Sequence, residues 1–412
     1  MEGNKVINFL RKYMMLIAMV LVIIAFSFIT GGKTLYPQNI NNLISQNAYV
    51  FVLGTGMLLC ILTGGNIDLS VGSVVCLAGG IGAIILEKNL PWPLAVVLML
   101  IMGLVIGMWH GFWIAYIKVP PFIATLVGWL AFRGLANIIM GGFTYSITDK
   151  AFLNIFGGGD SCYIPDFLAN VGPASNLNKT CMCAGILIAV GYSIYTFVNR
   201  TALIKKGYKV DSIVSVIIKT ILIAAVTLWL SYKLASYKGI PTVLVWIALV
   251  LGIFAYITTK TTLGRNLYAV GGNEKATRLS GIDTKKVMFT AYTLMGLLAG
   301  FAGILNIARL TGSSPNYGMG YEMDAIAACF IGGASAYGGT GSIGGVIIGA
   351  ALMGIINQGM VAANTPPNYQ TVVKGIVLVV AVLFDVIMQM RRKGAKKTAA
   401  AESTQEKGGA KA

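Results

Sequence analysis

The chain has 412 residues, 56% of them hydrophobic and only 11% charged, with a mean hydropathy of +0.78. A soluble domain carries about 25% charged residues, and no polar stretch here is long enough to fold as a separate soluble unit. The net charge of +17 does not point to nucleic acid, because it is gathered at the two ends and in two short segments between apolar runs.

At about 20 residues per crossing, the apolar runs predict twelve helical segments in chain order: 14–29, 48–62, 71–86, 94–117, 122–140, 182–198, 213–232, 243–259, 287–308, 324–337, 343–360 and 372–390. The fold class is an all-α polytopic membrane protein. Segments 71–86 and 324–337 are short and interrupted by glycine, so they read as half-helices, and the expected number of full spans is ten to twelve. Residues 1–392 form one transmembrane domain. The tail 393–412, rich in Lys, Ala, Gly and Glu, is expected to be disordered, since it cannot bury enough apolar surface to offset ordering. The basic start followed by an apolar run resembles a signal peptide. It lacks a small-x-small cleavage site, so an uncleaved first span is expected.

Orientation follows from the basic residues. They concentrate at Lys5, Arg11 and Lys12, in 200–209, in 260–286 and beyond Arg391, whereas the connection 141–180 carries Asp149, Asp160 and Asp166 against Lys150 and Lys179. Basic loops stay cytoplasmic, which places both ends and loop 260–286 inside and connection 141–180 outside. Cys60, Cys76 and Cys329 fall in apolar runs and read as small core residues. Cys162, Cys181 and Cys183 lie in or beside the external connection, where a disulfide from Cys162 to either of the others is open.

Carboxylates inside apolar segments are the sharpest signal. Asp68 lies in Thr63-Gly-Gly-Asn-Ile-Asp-Leu-Ser-Val-Gly-Ser73, and Glu322 and Asp324 lie in Gly320-Tyr-Glu-Met-Asp-Ala-Ile-Ala-Ala-Cys-Phe-Ile-Gly-Gly333. A charge at membrane depth costs several kcal/mol unless protein or water solvates it. Gly-rich, broken helices are tolerated there only when buried in protein or lining a cavity. Asn66, Asp68, Ser70, Glu322 and Asp324 are therefore candidates for lining or shaping a polar path, with capping of half-helices as the plainer role for Asp68 and Asp324. Lys374 and Arg133 are candidate partners for these acids, and Asp385 is expected to pair with Arg391 or Arg392. The two Gly-rich stretches, Val71-Gly-Ser73 with Gly79, Gly80 and Gly82, and Gly341-Ser342 with Gly344, Gly345 and Gly349, suggest an internal repeat. Glycines spaced by four at 103, 107 and 111, at 296 and 300, and at 341, 345 and 349 suggest close helix packing.

Other motifs fail. Gly339-Thr-Gly341-Ser-Ile-Gly344 has the dinucleotide spacing but no flanking strand and no acid about 20 residues on, so it reads as a tight turn. Gly31-Gly-Lys33-Thr34 lacks the first glycine of a phosphate loop. With His110 the only histidine, no nucleophile–base set is available, and no metal or cofactor is expected. Any ATP must be used by another polypeptide.

Loop 260–286 contains Gly271-Gly-Asn-Glu274-Lys-Ala276-Thr-Arg278-Leu-Ser-Gly281-Ile-Asp283, which predicts a short charged helix stopped by Gly281. Here the chain resembles the permease subunits of ribose-, xylose- and galactose-class ABC importers. The resemblance rests on this loop, on the 63–73 motif, and on 320–328 with Ile331-Gly-Gly-Ala-Ser-Ala-Tyr-Gly-Gly-Thr-Gly-Ser342. The extra length between about 142 and 238 looks like the multiple-monosaccharide or xylose branch.

The resemblance implies a monosaccharide importer in the bacterial cytoplasmic membrane, built as a homodimer of permeases. It further implies a cytoplasmic ABC ATPase, an extracytoplasmic sugar-binding protein, and contacts with membrane lipid but none with nucleic acid. It implies that Glu274, Lys275, Ala276, Arg278 and Gly281 couple to the ATPase. The usual frame places its glutamate one residue later, which makes Arg278 the alternative contact. The competing readings are an ion-coupled secondary transporter working through Asp68, Glu322 or Asp324, an ABC permease for nucleosides or branched-chain amino acids, and, with no catalytic groups to support it, a membrane enzyme.

Overall fold

The computed structural model of the chain describes residues 17–170, 177–208, 210, 212–383 and 385–387. Each of the twelve segments expected from the sequence holds a helix. Among the described residues, eight helices are long and apolar enough to cross a membrane: α5 (Trp92–Ala115), α6 (Pro121–Met140), α8 (Lys179–Lys205), α9 (Ile213–Ala235), α10 (Thr242–Lys260), α13 (Thr284–Leu310), α15 (Ile343–Ala362) and α16 (Pro367–Ile387). A ninth span forms if the pair α2 (Pro37–Gln46) and α3 (Ala48–Leu62), bent by 40°, is taken as one. The remaining apolar helices are shorter: α1 (Ile17–Ile29), α4 (Val71–Glu87) and α14 (Tyr321–Ile331). Eleven residues rise only about 16 Å, half the hydrocarbon thickness. The glycine-broken segment at 324–337 is therefore a half-helix, starting three residues earlier and ending at Ile331.

Burial ranks the helices. Every residue of α3 is buried, and α13 and α15 are 67% buried along their spans, against 17% for α8, 11% for α9 and 6% for α16. Helix α3 is thus the axis, with α10, α13, α14 and α15 packed against it. The α8–α9 hairpin, the extra length noted in the sequence, leans on the outside. Two of the glycine stripes meet each other: a Cβ on Gly107 of α5 would sit 2.6 Å from the Tyr292 carbonyl oxygen of α13 and 3.0 Å from the Gly296 Cα. Only a missing side chain allows the two backbones to come this close.

Helix α2 was not anticipated, because 38–47 is rich in Asn and Gln and shows no long apolar run. Pro37 at its first turn supplies a pre-set φ, and the bend falls at Asn47, whose Nδ2 donates to the Leu43 carbonyl at 2.9 Å.

Residues 141–170 form a cap sewn onto the bundle rather than a loose loop. Strand β1 (Tyr145–Ser146) pairs antiparallel with β2 (Gly312–Ser313). Helix α7 (Lys150–Phe156) starts at Asp149, which accepts from Phe152 N at 3.0 Å, and its Ile155 carbonyl accepts from Trp246 Nε1 at 2.9 Å. Burial pushes the Tyr163 hydroxyl up to about 12 although Asn41 donates to it at 2.9 Å. Asp166 accepts from Leu168 N, Thr180 N, Thr180 Oγ1 and Lys179 N at 2.8–3.2 Å, tying the cap to the start of α8. The open disulfide does not form: Cys162, Cys181 and Cys183 are free thiols, and Cys181 donates to the Ser231 carbonyl at 3.5 Å. The tail 393–412 lies outside the described residues.

Candidate polar centre and charged helix

Asp324 is the centre of a buried polar cluster. It lies in the first turn of α14 and is fully buried. Its Oδ2 accepts from Lys374 Nζ of α16 at 2.8 Å, from the Tyr49 hydroxyl of α3, and from Asn357 Nδ2 of α15 at 3.5 Å. Asn357 also donates to Asn47 Oδ1 at 3.0 Å. Four helices thus converge on one carboxylate, and the expected partner Lys374 is in place. The Tyr49 ring stacks on Tyr321 at 3.6 Å, and Tyr321 donates to Asn306 Oδ1 at 2.7 Å. A cation and two neutral donors offset much of the cost of taking this carboxylate out of water.

Glu322, two residues earlier in the same first turn of α14, faces a different environment. It packs against Gly72 at the start of α4, where a Cβ would run into Glu322 Oε2. Arg133 of α6 lends it a favourable charge, but the guanidinium spends Nη1 on the carbonyls of Pro315 at 3.0 Å and Tyr317 at 2.6 Å. Glu322 Oε2 and Arg133 Nη2 are both buried without a hydrogen-bond partner among the described residues.

Asp68 and Ser70 do not join this cluster. The Asp68 carboxylate turns back on its own chain and accepts from Ser70 N at 2.9 Å and Ser70 Oγ at 2.6 Å, the local turn-holding bond that Asp favours ahead of a helix. Asn66 likewise closes a turn on Thr63 Oγ1 at 3.1 Å. Asp68, Ser70, Glu322 and Asp324 are all buried. His110 is packed edge-on against Trp109 and Phe132. Asp385 accepts from Ala336 N at 2.9 Å, whereas its expected partners Arg391 and Arg392 lie outside the described residues.

At the opposite end of α14, glycine turns stack backbone on backbone. Gly339 N donates to the Leu62 carbonyl at 3.1 Å. A Cβ on Gly65 would strike the Ala336 carbonyl, and one on Gly271 would strike both the Leu62 carbonyl and Gly339 N. The dinucleotide-like 339–344 motif is therefore the turn between α14 and α15, as expected.

From Gly271 the chain enters the predicted charged helix. The amphipathic α11 (Thr262–Gly272), which sequence reasoning missed, leads into α12 (Glu274–Leu279). Asn273 caps α12 through Ala276 N at 2.9 Å. The helix ends with Ile282 N donating to Thr277 O at 3.3 Å and Gly281 N donating to Arg278 O at 3.1 Å. With Gly281 at φ +84°, this is the Schellman arrangement. Glu274, itself exposed, accepts from Lys118 Nζ at 3.4 Å and Thr284 Oγ1 at 3.2 Å. Lys275, Ala276 and Arg278 are exposed, and Leu279 is 80% exposed. A cleft of about 450 Å³ beside Gly281 is lined by Leu263, Asn266, Ile282, Lys286 and Val287.

A sequence profile described as "Branched-chain amino acid transport system / permease component" matches residues 39–382. The xylose transport system permease protein XylH of Escherichia coli K12 is 36% identical over 385 residues, 93% of each chain. XylH of Haemophilus influenzae is 36% identical over 377 residues, covering 91% of this chain and 96% of its own. The ribose import permease protein RbsC of Escherichia coli K12 is 32% identical over 366 residues, 89% of this chain and 91% of its own. No solved structure matches. Buried carboxylates on the half-helix α14, a capped charged helix and similarity along nearly the whole chain agree: this multi-pass membrane protein belongs to the permease-component family that includes the xylose and ribose permeases.

Proposed function

We propose that the chain is the membrane-spanning permease of an ATP-driven monosaccharide importer in the bacterial cytoplasmic membrane. Full-length similarity to xylose and ribose permeases carries the reading. Two copies pair around a central path, an extracytoplasmic binding protein delivers the sugar, and a separate cytoplasmic ABC ATPase hydrolyses ATP. The exposed face of α12 meets the ATPase: Lys275, Ala276, Arg278 and Leu279 supply the contact. Glu274, tied to Lys118 and Thr284, and Gly281 hold the helix in position. ATP-driven closure of the ATPase pair moves α12, and the permeases alternate between outward-open and inward-open states. Glu322 and Asp324 flank the path, whereas Asn66, Asp68 and Ser70 shape it by holding the turn before α4.

The test is reconstitution with the ATPase and the binding protein in liposomes. Sugar uptake that requires ATP and survives collapse of ion gradients is expected. Uptake by the chain alone, driven by an ion gradient and abolished by an ionophore, would establish the ion-coupled reading instead.

A further inference from the structure

The peptide that leads into α14 is not helical, yet it runs deep along the bundle. Ser313 sits beside Gly79 of α4, and Cys76 Sγ donates to the Ser314 and Pro315 carbonyls at 3.7 and 3.4 Å. A Cβ on Gly72 would strike the Gly318 carbonyl. Residues 313–318 therefore run back along α4, from Gly79 to Gly72. Helix α4 in turn lies parallel to α13: a Cβ on Gly79 would meet Ile307 at 2.7 Å, and one on Gly303 would meet the Val75 carbonyl at 3.2 Å. Gly72 is thus level with the middle of α13, about 15 Å short of its Leu310 end at 1.5 Å per residue. Gly318 and Gly320, at φ +77° and +78°, keep this stretch from joining α14 as one long helix.

One side of this stretch is open. Helix α14 packs on α3, α4 and α15. Its lead-in is tied to α6 by the bonds from Arg133 to the Pro315 and Tyr317 carbonyls, and its first turn to α16 by Lys374. Along this run of chain Asn316 is exposed, and Met319 and Met323 are 65% and 41% exposed. Asn137, one turn along α6 from Arg133, is exposed too, and its Nδ2 donates to the Arg133 carbonyl at 3.0 Å. Hydrogen bonds thus join Asn137, Arg133 and the 315–317 backbone into one strip. Two groups of the strip are unspent: Arg133 Nη2, a donor, and Glu322 Oε2, an acceptor, are buried without a partner among the described residues.

Non-helical backbone at membrane depth is tolerated against protein or a water-filled cavity, not against lipid, and an exposed amide there is unfavourable in hydrocarbon. We propose that this strip, formed by Asn137, Arg133, Asn316, Met319 and Met323, is the wall that each copy contributes to the central path. A two-fold pair presents the same patch from both copies, so identical strips face each other with water and solute between them. Resting on the importer reading, the inference names the face that lines the path and the solute class that suits it. A neutral polyhydroxylated ring donates to Glu322 and accepts from Arg133, whereas an anion is repelled by the first and a cation by the second. The methionines between the amides give adaptable apolar contact without a bond that would hold the sugar.

The experiment uses the reconstituted complex with D-xylose as the probe. Met319→Cys and Asn316→Cys are made singly in a Cys183→Ser background, with Ile221→Cys on α9, at a position 64% exposed, as the lipid-facing reference. During turnover a membrane-impermeant thiol reagent should label positions 319 and 316 well above the background chain and leave 221 at background. A bis-maleimide should join two copies through 319 or 316 and not through 221. Should one of the two variants fail to assemble, the other decides. Asn137→Leu with Asn316→Leu should lower sugar moved per ATP about tenfold, the equivalent of one good hydrogen bond lost at the barrier, while the loaded binding protein still stimulates ATP hydrolysis. Labelling no higher than at 221, labelling without cross-linking at any spacer length, or unchanged transport in the leucine variant overturns the inference; the importer reading stands as long as the wild type moves sugar with ATP. A wild-type complex that moves none overturns that reading, and the inference falls with it.

Discussion

At the scale of single residues, the Asp324–Lys374 pair sets the energetics of the polar centre. One partner is fully buried and the other only partly, at 0% and 21% side-chain exposure. Removing the lysine leaves a carboxylate with two neutral donors and no counter-charge, which costs about 3–5 kcal/mol for a buried pair. Lys374→Met should therefore lower the thermal midpoint of the detergent-solubilised protein clearly. Adding Asp324→Leu should restore much of the loss, because the orphaned charge goes with it. A double variant no more stable than the single one would mean that the carboxylate is solvated by something other than Lys374. Asp166, in the segment between α7 and α8, is a second carboxylate held by hydrogen bonds. Burial works to raise its carboxyl, but bonds from Thr180 Oγ1 and from the amides of Lys179, Thr180 and Leu168 outweigh it and hold the group below its ordinary value of 3.8. A depressed folded-state value stabilises above 3.8 and loses that contribution as pH falls below it. Hydrogen exchange at Leu168 and Thr180, corrected for intrinsic rate, should therefore rise on acidification in wild type and be already raised at neutral pH in Asp166→Asn. Unchanged protection through acidification would remove Asp166 as the tie.

At the scale of elements, α12 illustrates what the sequence could and could not convey. Its start, its end and the stop at Gly281 were all legible, because caps and a left-handed glycine are local features. The tie of Glu274 to Lys118 was not, since those residues are 156 positions apart and nothing in either segment announces the other. The polar centre divides in the same way. Glu322, Asp324, Lys374 and Arg133 stood out because charge is rare in apolar runs. Asn47, Tyr49, Asn357 and Gln358 did not, since uncharged polar residues barely disturb hydropathy, and α2 was missed with them. Amides interrupting an apolar run at 357–358 were the available signal. For α12 the expectation is specific. Arg278→Glu with Leu279→Asp should abolish co-purification of the ATPase while the permease still inserts and folds, because both side chains point away from the bundle. Glu274→Ala should weaken coupling less and should lower stability slightly, as a half-exposed ion pair contributes about 0–1 kcal/mol. The reverse ranking would make Glu274 the contact and Arg278 a solvated charge.

At the scale of the whole molecule, the question is how movement of α12 reaches helices that it does not touch. The answer available in this fold is the stack of glycine turns. Gly271, in the last turn of α11 and three residues before α12, lies against the Leu62 carbonyl that ends α3 and against Gly339 in the turn between α14 and α15. Ala336, three residues before Gly339, receives Gly65 from one side and donates to Asp385 of α16 from the other. Tyr268 of α11 adds a bond to the Gly341 carbonyl at 2.9 Å. The axis α3, the half-helix α14 and α15 therefore share one backbone junction with the segment proposed to receive the ATPase stroke, and α16 is tied to it by the Asp385 carboxylate. Backbone against backbone at Gly271, Leu62 and Gly339 leaves little to absorb a displacement, so on the proposed mechanism a shift at α12 should pass to α3 and α14 and on to Asp324 at the other end of α14. Filling the junction should break that relay without touching either the ATPase contact or the polar centre. Gly271→Val places two methyl groups where the Leu62 carbonyl and Gly339 N sit, and a forced clash of this kind costs about 1–3 kcal/mol. The reconstituted variant should bind the ATPase and hydrolyse ATP but move little sugar per ATP, whereas Gly272→Val, with no atom within 4 Å of its Cβ position, should transport normally. Equal transport in the two variants would show that the stroke reaches α14 by another route.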